Sequence, residues 1–148
     1  MLDFIIIVIC CSALIVASIT DLKTREVPDW LNFSLIGAGF GIRIIGSFVY
    51  SDARVFLEGL YGFGIFLIIA LVMFYLGQWG GGDAKLLMGL GALIGLRLQA
   101  WPLPFLVSFF IHLLLVGAVY GLLWSLFLIF KFRKDFFKKL KVQLKKKE

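Results

Sequence analysis

The sequence predicts an all-α membrane protein, a polytopic bundle of about five transmembrane helices, with six as the alternative count. The 148 residues are 61% hydrophobic with a mean hydropathy of +1.02, and only 16% are charged. A soluble domain of this length needs far more polar surface to cover its core. Long apolar runs recur along the chain, and most reach the roughly 20 residues that cross a bilayer as a helix. We therefore expect a single domain of membrane helices.

Each apolar run is interpreted as one helix. A short polar loop follows the first run, and Gly-rich or Pro-containing stretches bound the later ones. The fourth run is short and rich in glycine, so the span count depends on it. The predicted helices cover residues 4–20, 31–50, 55–76, 84–98 and 105–130.

Basic residues divide the chain into a membrane domain, 1–130, and a cytoplasmic tail, 131–148. Nine of the fifteen Lys and Arg residues lie in this tail, interspersed with Phe and Leu. That pattern is typical of an amphipathic segment that binds anionic lipid headgroups. Because the excess charge is confined to a tail, we expect no nucleic-acid partner. The sequence makes no prediction of the oligomeric state.

The positions of Lys and Arg also predict the orientation, with the N-terminus outside and the C-terminus in the cytoplasm. In this orientation the loops 21–30 and 77–83, the adjoining Lys85 and the tail hold twelve of the fifteen basic residues on the cytoplasmic side. No basic region precedes the first apolar run, which is therefore interpreted as a retained span and not as a cleaved signal peptide.

Two aspartates, Asp21 and Asp83, stand at the edges of apolar runs, where acidic residues are costly and indicate function. Two predicted spans separate them, so both are expected on the cytoplasmic face. Two neighbouring carboxylates do not both ionise readily. The ionised one can accept a proton from water while the protonated one donates to a peptide carbonyl. The pair therefore predicts an aspartyl-type hydrolytic site.

Three glycines, Gly80, Gly81 and Gly82, immediately precede Asp83. Consecutive glycines can adopt positive φ and present bare backbone, against which an extended peptide could lie. Lys85 is expected to pair with Asp83 or to reach the lipid headgroups. The structural alternatives are that Asp83 is a helix N-cap and that Asp21 pairs with a neighbouring basic residue.

These elements resemble the type IV prepilin and preflagellin peptidases, which are membrane aspartyl proteases of the GxGD group. The GxGD motif continues as GGGDAK at 80–85, and the family's first aspartate element matches DLKTREVP at 21–28. The resemblance covers about residues 1–100. It implies that Asp21 and Asp83 are catalytic and that 1–130 is the peptidase domain.

The resemblance further implies cleavage of the short basic leader of pilin-like or flagellin-like precursors at the cytoplasmic face of the cell membrane. No cofactor or metal is expected. The paired CxxC motifs of bifunctional members are absent from this sequence, so no methyltransferase activity is implied. The candidate substrate-binding residues are Gly80, Gly81, Gly82, Lys85, Glu26 and Asp29, the two acids as partners for the basic leader.

Two other function classes remain open. A small ion or solute transporter subunit would use Asp21, Asp83, Glu58 and Arg43 as an ion path, and a non-catalytic subunit of a pilus or secretion system would use none of them chemically. We expect Arg43 and Glu58 to form a structural ion pair. The alternatives are that Glu58 lines a path to the site and that Arg43 extends toward the outer surface. His112 is interpreted as a packing residue with a backbone or water partner.

Glycines recur within the second, third and fourth predicted helices at spacings of two to four residues. Small residues at such spacing indicate close packing between membrane helices. The glycines concerned are Gly37, Gly39, Gly41, Gly59, Gly62, Gly64, Gly89, Gly91 and Gly95.

Overall fold

The computed structural model describes residues 2–97 and 104–132, and within these ranges it consists of five α-helices and no strands. The predicted all-α class is confirmed, and each predicted helix has a counterpart whose ends differ by at most a few residues. The predicted tail lies almost wholly outside the described residues. The helices are α1 (Leu2–Thr24), α2 (Asp29–Tyr50), α3 (Arg54–Tyr75), α4 (Gly81–Ile94) and α5 (Phe105–Lys131).

Four of the described helices, α1, α2, α3 and α5, are long and apolar enough to cross a membrane. α4 has 14 residues, which corresponds to about 21 Å of helix, less than the roughly 30 Å of a bilayer core. The chain forms two compact units, Met1–Val107 and Ser108–Glu148. The first unit contains α1 to α4.

α4 forms the centre of the first unit, between α2 and α3. Its buried side chains include Ala84, Leu87, Leu90 and Leu93. Glycines permit this packing, because a Cβ on Gly91 would lie only 2.5 Å from the carbonyl oxygen of Gly62. Contacts of this kind confirm the predicted close packing at six positions: Gly39, Gly59, Gly62, Gly89, Gly91 and Gly95.

The packing prediction is wrong for Gly37, Gly41 and Gly64, where a Cβ would meet no described atom within 4 Å. The reason is helical geometry. A residue two positions from a packed glycine is rotated by about 200° around the axis and therefore faces away from the neighbouring helix. On α2 and α3 one face is packed, so glycines two positions apart do not all make contacts. α4 is packed on both faces, Gly89 against Leu35 and Gly91 against Gly62.

Arg43 on α2 is completely buried. Its guanidinium donates hydrogen bonds to the carbonyls of residues 92–94 at the end of α4 and, at 2.9 Å, to that of Val55. The last carbonyls of a helix lack partners within it, so Arg43 caps α4. Its predicted ion pair with Glu58 is confirmed at 3.4 Å, whereas extension of Arg43 to the surface is wrong, because the carbonyls of α4 hold the side chain inside.

The chain leaves α4 at Gly95, whose φ is +68°. Leu96 N–H then donates to the carbonyl of Glu58 at 2.8 Å, and Arg97 pairs with Asp3 at the start of α1 and with Glu58. Backbone outside a helix is tolerated at membrane depth only where its polar groups are satisfied by protein, and for the N–H groups of Gly95 and Leu96 the carbonyls of Gly91 and Glu58 supply that.

Segment 81–97 therefore extends from one end of the first unit to the other. Its start contacts Val27, just after α1 ends, and its last residue pairs with Asp3, where α1 begins. α1 has 23 residues, a length of about 35 Å. The short helix and its extended end together match that length.

The second unit consists of most of α5. Within it His112 Nδ1 donates to the carbonyl of Ser108 at 2.7 Å, which confirms the predicted backbone partner. The rings of Tyr120 and Trp124 stack with centroids 6.4 Å apart. Lys131 lies over the ring of Phe127 at 5.8 Å.

Candidate active site

Asp21 lies in the last turn of α1, with its side chain exposed. The buried residues of α1 form a stripe, Ile6, Cys10, Ala13 and Ala17. Residues four apart are neighbours on one face of a helix, so Asp21 continues this stripe one turn beyond Ala17. The carboxylate therefore emerges on the packed face of α1, at its end.

The chain reverses direction immediately after Asp21. Arg25 has a φ of +58°, and its N–H donates to the main-chain carbonyl of Asp21 at 2.8 Å. A residue in the left-handed conformation at this position terminates a helix and turns the chain. Val27 is buried two residues later, and Pro28 is the N-cap of α2. The loop thus folds back beside the end of α1.

Asp83 is the third residue of α4 and is also exposed. The N-cap of α4 is Gly80 and makes no side-chain hydrogen bond, so the N-cap alternative for Asp83 is wrong. The first turn of a helix, with its unsatisfied N–H groups, still stabilises an anion at this position. Among the described residues, neither the Asp83 nor the Asp21 carboxylate forms a hydrogen bond or ion pair.

The glycines before Asp83 contribute space and not positive φ. Gly80 is extended, with φ −71° and ψ 160°, and the described glycines with positive φ are Gly77 and Gly95, so the expectation of positive φ at 80–82 is wrong. A Cβ on Gly82 would lie 3.1 Å from the backbone nitrogen of Val27. The bare backbone of Gly82 therefore lets the turn before Asp83 pack directly on the loop after Asp21.

Lys85 forms an ion pair with Asp29 at the start of α2, with Nζ and Oδ1 2.7 Å apart. It also lies over the ring of Phe33. The predicted pairing of Lys85 with Asp83 is wrong, because the side chain is directed to α2. Two of the candidate substrate-binding residues thus neutralise one another, while Glu26 is exposed and has no ion-pair partner among the described residues.

Asn32 on α2 joins the site although the sequence assigned it no role. Its side chain is completely buried, and Nδ2 donates to the carbonyl of Gly82 at 3.3 Å. Its Oδ1 has no hydrogen-bond partner in the described part of the chain, which costs about 1–3 kcal/mol for a buried polar atom. Helical spacing could have identified it, because Asn32 lies on the buried stripe of α2 with Leu35, Gly39 and Arg43.

The structure thus gathers the start of α4, the α1–α2 loop and the start of α2 at one end of the first unit. Two exposed carboxylates, Asp21 and Asp83, stand on adjoining segments, an arrangement suited to general acid–base chemistry on a bound peptide. In the described ranges no group of three or more His, Cys, Asp or Glu residues could hold a metal ion.

The ion-path alternative requires Asp21, Asp83, Glu58 and Arg43 to be connected. Arg43 and Glu58 instead lie toward the opposite end of the unit, at the end of α4. They are engaged there with backbone carbonyls and with Arg97. The four residues form two separate groups, and the transporter alternative is not favoured.

Comparison with known proteins gives one family. The model of the type IV leader peptidase family matches residues 8–126 of the chain. The chain is 40% identical to a preflagellin peptidase of Methanocaldococcus jannaschii over 94 residues, which are 64% of this chain and 38% of that protein.

Preflagellin peptidases of Methanococcus maripaludis and Methanococcus voltae are each 38% identical to the chain over 81 residues. These residues are 55% of this chain and 35% and 34% of the two relatives. The chain therefore spans little more than a third of the length of these relatives. No solved structure matches it significantly.

Proposed function

This chain belongs to the type IV leader peptidase family, and we propose that it is a membrane aspartyl endopeptidase that removes the basic leader of flagellin-like or pilin-like precursors. It is a multi-pass membrane protein. The observation that carries the proposal is the contact between Gly82 and Val27. It joins the segments that hold two exposed carboxylates, Asp21 and Asp83.

In the proposed reaction the two carboxylates act as a unit. One accepts a proton from the attacking water, and the other donates a proton to the oxygen of the scissile carbonyl. The tetrahedral intermediate then collapses: one of its hydroxyls returns a proton to the second carboxylate, the C–N bond breaks, and the leaving amine takes the proton that the first carboxylate accepted from water. No metal or cofactor takes part.

The substrate's features complement this end of the molecule. A flagellin-like precursor with a basic leader before an apolar helix would place its leader beside Glu26, which, apart from the proposed catalytic pair, is the acidic side chain near the site without an ion-pair partner among the described residues. The distribution of Lys and Arg supports a cytoplasmic position for this end in the cell membrane. The basic tail is proposed to bind anionic lipid.

The test is leader cleavage by the purified chain, with a full-length precursor and with Asp21→Asn and Asp83→Asn as single variants. Each is expected to lose at least about 10³-fold in kcat, because removing one member of a pair that acts as a unit removes most of the catalytic effect of the pair. Asp52→Asn, in the turn between α2 and α3, makes the same chemical change at the other end of the unit and is expected to keep wild-type activity.

Full activity in either Asp21→Asn or Asp83→Asn would refute the assignment of Asp21 and Asp83 as a catalytic pair. Melting temperatures in detergent check that every variant is folded. Wild-type protein that cleaves no flagellin-like or pilin-like precursor would refute the proposed function itself.

A further inference from the structure

We propose that Asn32 is a positioning residue of this site, which holds the Gly82–Asp83 peptide so that the Asp83 carboxylate stays beside the loop that carries Asp21. The inference rests on the proposed function. It begins from the side chain of Asn32, which is completely buried: Nδ2 is hydrogen-bonded, whereas Oδ1 has no partner in the part of the chain that the structure describes.

Gly82 is held from two sides. Asn32 Nδ2 donates to its carbonyl, and on another side Val27 leaves no room for a side chain, since a Cβ on Gly82 would lie 3.1 Å from the Val27 nitrogen. The carbonyl that accepts this bond belongs to the peptide unit that leads into Asp83. A shift of that peptide therefore moves Asp83 relative to the α1–α2 loop.

The carbonyl of Gly82 does not need Asn32 for its own hydrogen-bonding requirement. Gly82 lies inside α4, and in an α-helix such a carbonyl accepts a bond from the N–H four residues on. The bond from Asn32 is an additional one. An apolar side chain at this position would leave the carbonyl of Gly82 satisfied.

The orientation of the amide follows from the same contact. If the amide were turned round, Oδ1 would face the carbonyl oxygen of Gly82, and two acceptors would repel one another. Nδ2 therefore faces Gly82, and Oδ1 stays buried without a partner among the described residues. An unsatisfied buried group in a native structure requires an explanation, and groups kept at a cost to stability are typical of functional sites.

The decisive variant is Asn32→Leu, which keeps the number and branching of the side-chain heavy atoms and removes both the bond and the unsatisfied oxygen. We expect a melting temperature in detergent equal to or above that of the wild type. We expect kcat for precursor cleavage to fall about ten- to hundredfold through misplacement of Asp83, with KM unchanged within about twofold. A purely structural Asn32 would give the reverse, a lower melting temperature and an unchanged kcat for the folded fraction.

Two further variants complete the test. Asn32→Asp keeps the shape but turns an acceptor toward the Gly82 carbonyl, and we expect it to lose at least as much kcat as Asn32→Leu. Ser34→Leu changes an exposed polar residue of the same helix and is the matched control, expected to retain wild-type kcat and KM.

The outcomes separate the two proposals. Active wild-type protein with an unimpaired Asn32→Leu variant would overturn the role of Asn32 and leave the peptidase proposal standing. A lower melting temperature of Asn32→Leu would also overturn it, and that measurement needs no substrate. Inactive wild-type protein beside a stabilised Asn32→Leu would count against the peptidase proposal alone.

Discussion

At the scale of single residues, the acidic groups near the proposed site differ in how much charge they offer a substrate. Asp29 is 62% exposed, and its carboxylate is paired with Lys85, which is 37% exposed. Such surface ion pairs contribute about 0–1 kcal/mol, but the pairing cancels most of the field of Asp29 beyond the pair. Glu26 lies on the loop after Asp21, is exposed and has no ion-pair partner in the described ranges.

We therefore predict that Glu26→Gln raises KM for a precursor with a basic leader about two- to fivefold and leaves kcat unchanged, the size expected of one exposed charge pair. Asp29→Asn is the matched control and should change KM by less than about twofold. Steady-state kinetics with the natural leader and with a leader whose basic residues are replaced by Gln measure both effects. An equal KM effect for both variants, or one that persists with the neutral leader, would contradict the prediction.

At the scale of elements, α4 is too short to cross a bilayer as a helix, and side chains of α2 form hydrogen bonds with the backbone at both of its ends. Arg43 satisfies the carbonyls at its C-terminal end, and Asn32 holds its first turn. Both residues lie on the buried stripe of α2. α2 therefore holds α4 at both of its ends, including the first turn that carries Asp83.

The glycine contacts between α3 and α4 should contribute measurably to stability. We predict that Gly91→Ala destabilises the protein by about 1–3 kcal/mol, the usual cost of overpacking, because its Cβ would lie 2.9 Å from that of Phe66 and closer still to Gly62. Gly64→Ala, in open space on the other face of α3, should be neutral or stabilising by up to about 1 kcal/mol. Melting temperatures in detergent distinguish the two, and equal changes would refute the packing assignment.

At the scale of the whole molecule, the first unit has two chemically different ends. Arg97, Asp3, Glu58 and Arg43 form a connected ionic group at one end. At the other end Asp21, Asp83 and Glu26 are exposed and have no ion-pair partner among the described residues. A cluster whose positive and negative side chains pair with one another favours a structural role, whereas exposed carboxylates without an ion-pair partner are available to a substrate.

The predicted orientation assigns these ends to opposite sides of the membrane. We expect Gln78→Cys, in the loop before α4, to react with an impermeant maleimide only after cells are permeabilised. Asp52→Cys, in the turn between α2 and α3, should react in intact cells. Both substitutions are made after Cys10→Ser and Cys11→Ser remove the native thiols, and the reverse labelling pattern would overturn the orientation.

The sequence by itself determined the helices and the candidate pair. Apolar runs are local features whose length and hydropathy predict spans to within a few residues, and the motifs around Asp21 and Asp83 lie within short segments. Only the tertiary structure decided which glycines are packed, that Lys85 binds Asp29 and not Asp83, that Arg43 caps α4, and that Asn32 reaches Gly82. These outcomes depend on which face of each helix meets a neighbour. The partners that Asn32, Arg43 and Lys85 bind on other helices lie 49 to 56 positions away in the chain, beyond the range of any local pattern.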